Sequence, residues 1–171
     1  MITYNNILVP YDNSKISDTA FDHAMTIAKM LSISSSSSSS GQIVNVTLFY
    51  VTPIIHTPFT IGTISLKSKK TGETIALREY IKELHHEIKE NAIKMLDKKI
   101  KKHEKMDDSI SLNSKVMIGE PADEIIKFAN NKRIDLIVMG TTGLRRITKF
   151  VFGSIARNVS EKANCPVMLV R

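Results

Sequence analysis

Short apolar runs alternate with longer amphipathic stretches along this chain. In residues 135–139, Asp135 is followed by an uninterrupted apolar run, which is typical of a strand covered on both faces. The pattern predicts five strands, at residues 7–10, 44–51, 112–118, 135–139 and 166–170. Between them apolar residues recur at helical spacing, most clearly over residues 73–105, where lysine and glutamate fill the other face. Further helices are predicted after Ser14, from Pro121 onward and over residues 154–163.

Five strands alternating with four helices predict an α/β fold. We expect a single doubly wound, five-stranded parallel sheet with helices on both faces. The length of 171 residues fits one domain, so residues 1–171 are expected to form a single domain. Two stretches interrupt the pattern: a serine-rich loop at 32–41, expected to be flexible, and an irregular loop at 53–72. In such sheets ligands bind at the carboxyl ends of the strands, where the strand order reverses.

The amino-acid composition favours some classes of binding partner and disfavours others. The net charge of +7 favours an anionic partner, but aromatic residues are only 6% and tryptophan is absent, so a stacking platform for nucleic acid is poorly supplied. Cys165 is the only cysteine, which excludes an internal disulfide and a cysteine-rich zinc site. The chain has no long uncharged apolar run and no signal-peptide pattern at its start. We therefore expect a cytoplasmic protein with no membrane partner.

Glycines after the predicted strand at 135–139 point to a phosphate-binding loop. Gly140 and Gly143 allow close approach of the backbone to an anion, and Gly153 with Ser154 begins a predicted helix. A helix N-terminus offers N–H groups and a favourable dipole end to a phosphate. Positive charge lies between the glycines, at Arg145, Arg146 and Lys149. The spacing is not that of a Walker loop, and the alternative is that these glycines only make turns.

The chain resembles the universal stress proteins in three segments. Residues 7–14, Ile-Leu-Val-Pro-Tyr-Asp-Asn-Ser, are similar to the opening strand of that family. Gly140-x2-Gly143-x9-Gly153-Ser154 matches the glycine pattern of the ATP-binding members, and residues 164–170 resemble the closing strand. The resemblance implies the strand order 3-2-1-4-5, counted in chain order, and therefore places the first and fourth strands side by side.

The resemblance also implies an ATP site. Asp12 would bind the ribose hydroxyls, although an aspartate after a strand often only closes a turn. The residues implied to border the adenine are Pro10, Tyr11 and Val51. Those implied to hold the phosphates are Met139, Gly140, Thr142, Gly143, Gly153, Ser154 and Ile155. Family members often hold Mg²⁺ or Mn²⁺ between the phosphates, and no cluster of ligands in this sequence adds to that expectation.

We therefore expect an ATP-binding universal stress protein that acts as a nucleotide-dependent regulator. Efficient ATP hydrolysis is not expected, because no general base is evident apart from Asp12. The alternative is an ATP-independent protein-interaction or nucleic-acid-binding module of the same fold. The apolar edge strand 166–170 predicts a homodimer, as in relatives. The lysine run 98–105 is expected to form a solvated helix face rather than a nucleic-acid footprint.

Overall fold

The computed structural model describes residues 4–35, 43–55, 65–103, 108–142 and 153–171. The described strands and helices follow one another along the chain as β1 (Asn6–Pro10), α1 (Lys15–Ser35), β2 (Val44–Thr52), β3 (Ser65–Lys67), β4 (Thr74–Ala76), α2 (Leu77–Lys101), β5 (Ile110–Ile118), α3 (Pro121–Asn131), β6 (Leu136–Gly140), α4 (Ser154–Lys162) and β7 (Val167–Val170). No helix in these described ranges is both long enough and apolar enough to span a membrane.

The main sheet has five parallel strands in the order β5-β2-β1-β6-β7. Counted in chain order within this sheet, that order is 3-2-1-4-5, so the predicted fold and topology are confirmed. The strand β1 lies in the middle, paired with β2 on one side and with β6 on the other. The order of the strands reverses between β1 and β6.

Side chains of the sheet alternate between two apolar cores. On one face Ile7 and Val9 pack in a cluster with buried residues of α1 and α2. On the other face Leu8 packs with buried residues of α3 and α4. This period of two is what a strand covered on both faces requires, and it explains why the central runs contain no polar residue.

The start of β1 is fixed by a residue that lies far away in the sequence. One carboxylate oxygen of Asp135, Oδ2, accepts hydrogen bonds from the backbone N–H groups of Asn5 and Asn6, at 2.8 and 2.9 Å. Asp135 directly precedes β6, so the two central strands are held in register by this side chain as well as by their ladder.

Two predicted loops contain regular structure. Residues 65–67, inside the predicted irregular loop 53–72, form β3, which pairs antiparallel with β4, so α2 begins at Leu77 rather than at residue 73. This hairpin packs on α2, where Ser68 Oγ donates to a carboxylate oxygen of Glu83 at 2.7 Å. Strands of three residues are too short to show an alternating pattern, which is why the sequence did not reveal them.

The serine-rich loop was predicted to begin at residue 32, but α1 continues to Ser35. Ser32 Oγ donates to the backbone carbonyl of Lys29 at 2.9 Å, a bond made within the helix. Extending an existing helix costs little free energy even for residues of modest helix propensity, so the helix runs past its last apolar position. The remainder of the predicted loop, residues 36–41, lies outside the described residues.

Candidate functional site

A cavity of about 520 Å³ lies at the carboxyl ends of β1, β2 and β6, beside the N-termini of α3 and α4. This is the place where the strand order reverses, and it is the expected ligand position in a doubly wound sheet. Its lining consists of Pro10, Tyr11, Asp12, Ser17, Phe49, Val51, Pro121, Ile125, Met139, Gly140, Thr141, Thr142, Gly153, Ser154, Ile155 and Ala156.

The structure brings together around this cavity every predicted site residue that it describes. These are Pro10, Tyr11, Asp12, Val51, Met139, Gly140, Thr142, Gly153, Ser154 and Ile155. Gly143 lies outside the described residues, as do the three basic residues of the same loop, Arg145, Arg146 and Lys149.

The turn between β1 and α1 is held by its own polar groups. Asp12 Oδ1 accepts a hydrogen bond from the backbone N–H of Ser14 at 3.0 Å, and Asn13 adopts a left-handed conformation with φ of 64°. The hydroxyl oxygen of Ser14 then accepts the backbone N–H of Ser17 at 3.1 Å, which caps α1. Asp12 therefore closes the turn, as one interpretation of the sequence expected, and lines the cavity as well.

The opposite wall of the cavity is formed by the end of β6 and the start of α4. The backbone N–H of Gly153 donates to the carbonyl of Thr141 at 2.8 Å, which brings the two ends of the intervening loop together. The N-cap residue, Gly153, provides no side-chain cap for α4. The first N–H groups of a helix have no acceptor within the helix, and here the residues that carry them, Ser154 to Ala156, line the cavity.

Several apolar lining residues come from positions that the sequence analysis did not select. Phe49 lies two residues before Val51 on β2, so the two side chains share a face of the strand. The two-residue period of the strand could therefore have identified Phe49 as a lining residue from the sequence. Its ring packs against Phe128 with the ring centroids 4.6 Å apart. Pro121 and Ile125 come from the first turns of α3, which follows the carboxyl end of β5. The remaining unselected lining residues are Ser17, Thr141 and Ala156.

Tyr11 lines the cavity but also belongs to the core on the α1 and α2 face. Its hydroxyl donates to Asp18 Oδ1 at 2.5 Å. Burial, together with the hydrogen bond to Asp18, raises the pKa of Tyr11 above its ordinary value, so the phenol remains a hydrogen-bond donor even in alkaline solution. The predicted role of Tyr11 beside the adenine is accompanied by a second, structural contact.

Lys99 departs from the prediction that its lysine run forms a solvated face. Its ammonium group lies 2.7 Å from Asp18 Oδ1, and its side chain is only 21% exposed. Burial by itself would raise the pKa of Asp18, but hydrogen bonds from Lys99 and Tyr11 outweigh burial, so the pKa is lowered. The helical pattern places Lys99 on the charged face of α2, but it does not show which charged residues of other helices lie within reach. The contact with Asp18 was therefore not predicted.

No group of three or more histidine, cysteine, aspartate or glutamate side chains is placed to hold a metal ion within the part of the chain that the structure describes. Asp12 is the one charged side chain among the described lining residues of the cavity.

Solved structures with the same fold include two that were determined with a nucleotide. One is a universal stress protein from Archaeoglobus fulgidus in complex with dAMP, at 22% identity and a TM-score of 0.53, covering 100% of both chains. The other is a family protein from Arabidopsis thaliana with AMP bound, at 18% identity and a TM-score of 0.56, covering 96% of this chain and 89% of that one. At these identities the likeness shows the fold alone.

Closer similarities establish the family. The chain is 32% identical over 168 residues to the universal stress protein MJ0531 of Methanocaldococcus jannaschii, covering 98% of this chain and 82% of that protein. The universal stress protein UspA from Lactobacillus plantarum is 26% identical, with a TM-score of 0.75 and 99% of both chains covered. The model of the universal stress protein family matches residues 63–171. These matches show that the chain belongs to the universal stress protein family.

Proposed function

We propose that this protein binds ATP in the cavity at the ends of β1 and β6 and acts as a nucleotide-dependent regulator. The observation that carries the proposal is the meeting of two elements at one cavity. The turn that holds Asp12 follows β1, and the N-terminus of α4, which has no side-chain cap, follows β6. Residues about 140 positions apart in the sequence thus form one site with an acidic wall and a wall that favours anions.

Each part of ATP has a matching wall in this cavity. The volume of about 520 Å³ lies within the usual range for small-molecule sites, about 300–1,000 Å³. Phe49 and Val51 provide apolar surface for the adenine ring. The carboxylate of Asp12 is an acceptor for ribose hydroxyls, and the first turn of α4 favours the phosphates.

A regulatory role is supported by what the cavity lacks for catalysis. Asp12 is the one carboxylate among its described lining residues, and its Oδ1 already accepts the N–H of Ser14. A general base must be within hydrogen-bond reach of an attacking water, and the same group would be occupied by the ribose. We therefore propose binding with at most weak ATP hydrolysis, so that the bound nucleotide acts as a signal to a partner protein.

The dAMP and AMP complexes of family members with this fold support an adenine nucleotide as the ligand class. The choice of ATP, with Mg²⁺ or Mn²⁺, depends on the glycine pattern ending in Gly153 and Ser154 rather than on those structures. The net charge of +7 agrees with a polyphosphate ligand and equally with the alternative, an ATP-independent or nucleic-acid-binding module.

Calorimetric titration with ATP and Mg²⁺ tests the proposal. We expect micromolar binding by the wild type and a loss of about tenfold or more in Asp12→Asn, because that variant keeps an oxygen for the turn but loses the charged acceptor. Asp22→Asn, an equal charge change at an exposed position of α1, is the matched control and should bind within about twofold of wild type.

No heat at millimolar ATP with Mg²⁺ would refute the proposed function. Binding of a nucleic acid that weakens steeply as salt rises, with no ATP binding, would favour the alternative, because such binding releases counterions from phosphates. Equal binding by Asp12→Asn and Asp22→Asn would leave ATP as a ligand but would refute the proposed role of the Asp12 carboxylate.

A further inference from the structure

Lys99 connects α2 to the turn that carries Asp12. Its ammonium group lies 2.7 Å from Asp18 Oδ1, and it lies 5.9 Å from the centre of the Tyr11 ring and 5.4 Å from that of Phe21. Lys99 is in the last turn of α2, whereas Tyr11 and Asp18 flank the turn between β1 and α1. One lysine of α2 thus extends across α1 to reach the end of the central strand.

A single carboxylate oxygen joins the two sides of this connection. Asp18 Oδ1 accepts both the ammonium group of Lys99 and the hydroxyl of Tyr11. Tyr11 is 5% exposed, and its backbone N–H donates to the carbonyl of Phe49 at 2.9 Å, so this residue is fixed at both ends. Asp12 is the next residue along the chain and lines the cavity.

The connection is placed where it can set the orientation of Asp12. The turn from Asp12 to Ser14 contains the left-handed Asn13, whose Oδ1 also lies 3.4 Å from the Tyr11 hydroxyl. If the hydroxyl of Tyr11 loses Asp18 as its acceptor, one of the side-chain contacts that hold this turn against α1 is removed. A ligand that needs the turn in one conformation then has to order it on binding, and that ordering lowers affinity.

We propose that Lys99 is a positioning residue of the nucleotide cavity, acting through Asp18 and Tyr11 to hold the Asp12 turn, so that nucleotide binding and the C-terminal end of α2 are coupled. This inference rests on the proposed function for its ligand, but the contact itself does not. Coupling of this kind is reciprocal, so a nucleotide bound at Asp12 also stabilises the last turn of α2. The long helix α2, which carries the β3–β4 hairpin, is thereby the element that senses occupancy of the cavity.

Two measurements on the full chain test the proposal. Titration calorimetry with ATP and Mg²⁺ gives affinity, and amide hydrogen exchange without nucleotide gives the protection of residues 12–14. We expect Lys99→Met to weaken ATP binding by about fivefold to tenfold and to speed exchange in that turn. Lys98→Met removes the same charge from an exposed position of the same helix and should change neither. Lys99→Arg keeps a cation within reach of Asp18 and should restore most of the affinity.

The outcomes separate this proposal from the proposed function. If Lys99→Met and Lys98→Met match in both affinity and exchange, the positioning role is wrong. If the wild type binds no ATP but exchange in the turn rises in Lys99→Met alone, the proposed function fails and the role of Lys99 in holding the turn stands. If Lys99→Met is unfolded at the temperature of the assay, Tyr11→Phe, which removes only the hydroxyl, replaces it in both measurements.

Reciprocity provides a readout that a purely structural contact would not change. Saturating ATP should slow amide exchange at residues 98–102 of the wild type, and this protection should disappear in Tyr11→Phe measured at a concentration that still saturates the variant. Protection that persists unchanged in Tyr11→Phe would overturn the proposed connection.

Discussion

Replacement of Gly140 by alanine would force the end of β6 against the first turn of α1. A Cβ atom on residue 140 would lie 2.6 Å from Ile16 Cγ2 and 3.3 Å from the carbonyl oxygen of Thr142. Ile16 is β-branched and helical, so one χ1 rotamer is strongly preferred and its methyl group cannot turn away at low cost. The first turn of α1 must therefore move by about 0.8 Å to reach an ordinary contact distance.

The magnitude follows from this forced displacement. Overpacking of this kind costs about 1–3 kcal/mol of unfolding free energy. For a chain of this length each kcal/mol lowers the melting temperature by about 2–4 °C. The displaced helix turn directly follows the turn that carries Asp12, and a binding site must hold its groups to within about 0.5 Å, so we expect ATP affinity to fall by about tenfold or more.

Urea denaturation and ATP calorimetry measure the two effects. Gly153→Ala is the matched control for stability, because its Cβ would lie 3.4 Å from the Thr141 carbonyl oxygen and 3.7 Å from Thr142 Cα, both ordinary contact distances, and its backbone conformation suits any residue. We expect the free energy of unfolding of Gly153→Ala to remain within about 1 kcal/mol of the wild-type value. Truncating the clashing side chain, in Gly140→Ala with Ile16→Ala, should recover part of the stability lost in Gly140→Ala. Equal stability of Gly140→Ala and Gly153→Ala, or strictly additive losses in the double variant, would refute the steric argument.

Three further predictions follow from single features. Asn13 has a φ of 64°, so Asn13→Val should lose about 1–2 kcal/mol in urea denaturation while Asn13→Gly stays near wild type, and equal losses would contradict the left-handed turn. The pKa of Asp18 is lowered below its ordinary value of 3.8 in the folded state. Its pairing with Lys99 therefore stabilises the fold when the pH is above 3.8, and this stabilisation is lost as the pH falls below that value. The free energies of unfolding of wild type and Lys99→Met should therefore differ at pH 7 and converge in acid. A difference that does not change with pH would show that the ion pair is not the cause of that difference. We also propose a homodimer through the edge strand 166–170, which light scattering at micromolar concentration should detect and Met168→Lys should disrupt, whereas a monomeric wild type would disprove it.

The parts of the fold that burial dictates were predictable from the sequence. The central strands β1 and β6 are apolar runs because both of their faces are covered, and their carboxyl ends meet because parallel strands share one edge of the sheet. Bringing Asp12 and Gly153 to one cavity also needed the strand order, which the resemblance to the universal stress proteins implied. The burial pattern did not give the β3–β4 hairpin, whose three-residue strands are too short for a period to appear.

The contacts between helices were not predictable in the same way. Lys99 and Asp18 are 81 positions apart, and nothing local distinguishes Lys99 from the exposed Lys98 beside it. The glycine pattern predicted where glycines lie around the cavity but not why each position requires a glycine. It treats Gly140 and Gly153 alike, whereas only Gly140 has a neighbouring side chain that leaves no room for a Cβ.

The central position of β1 has a consequence for synthesis of the chain. Ile7 pairs with Leu136, so one side of β1 has no partner until β6 has been made. At about 5–20 residues per second this interval lasts roughly 6 to 26 s. During that time residues 7–9, which are fully buried in the folded protein, lie in a strand with one unpaired edge. The second wall of the cavity has not yet formed. A chain that stops before β6 therefore keeps β5, β2 and β1 side by side but leaves β1 as an edge strand, and it cannot gain stability from a ligand that needs both walls of the cavity.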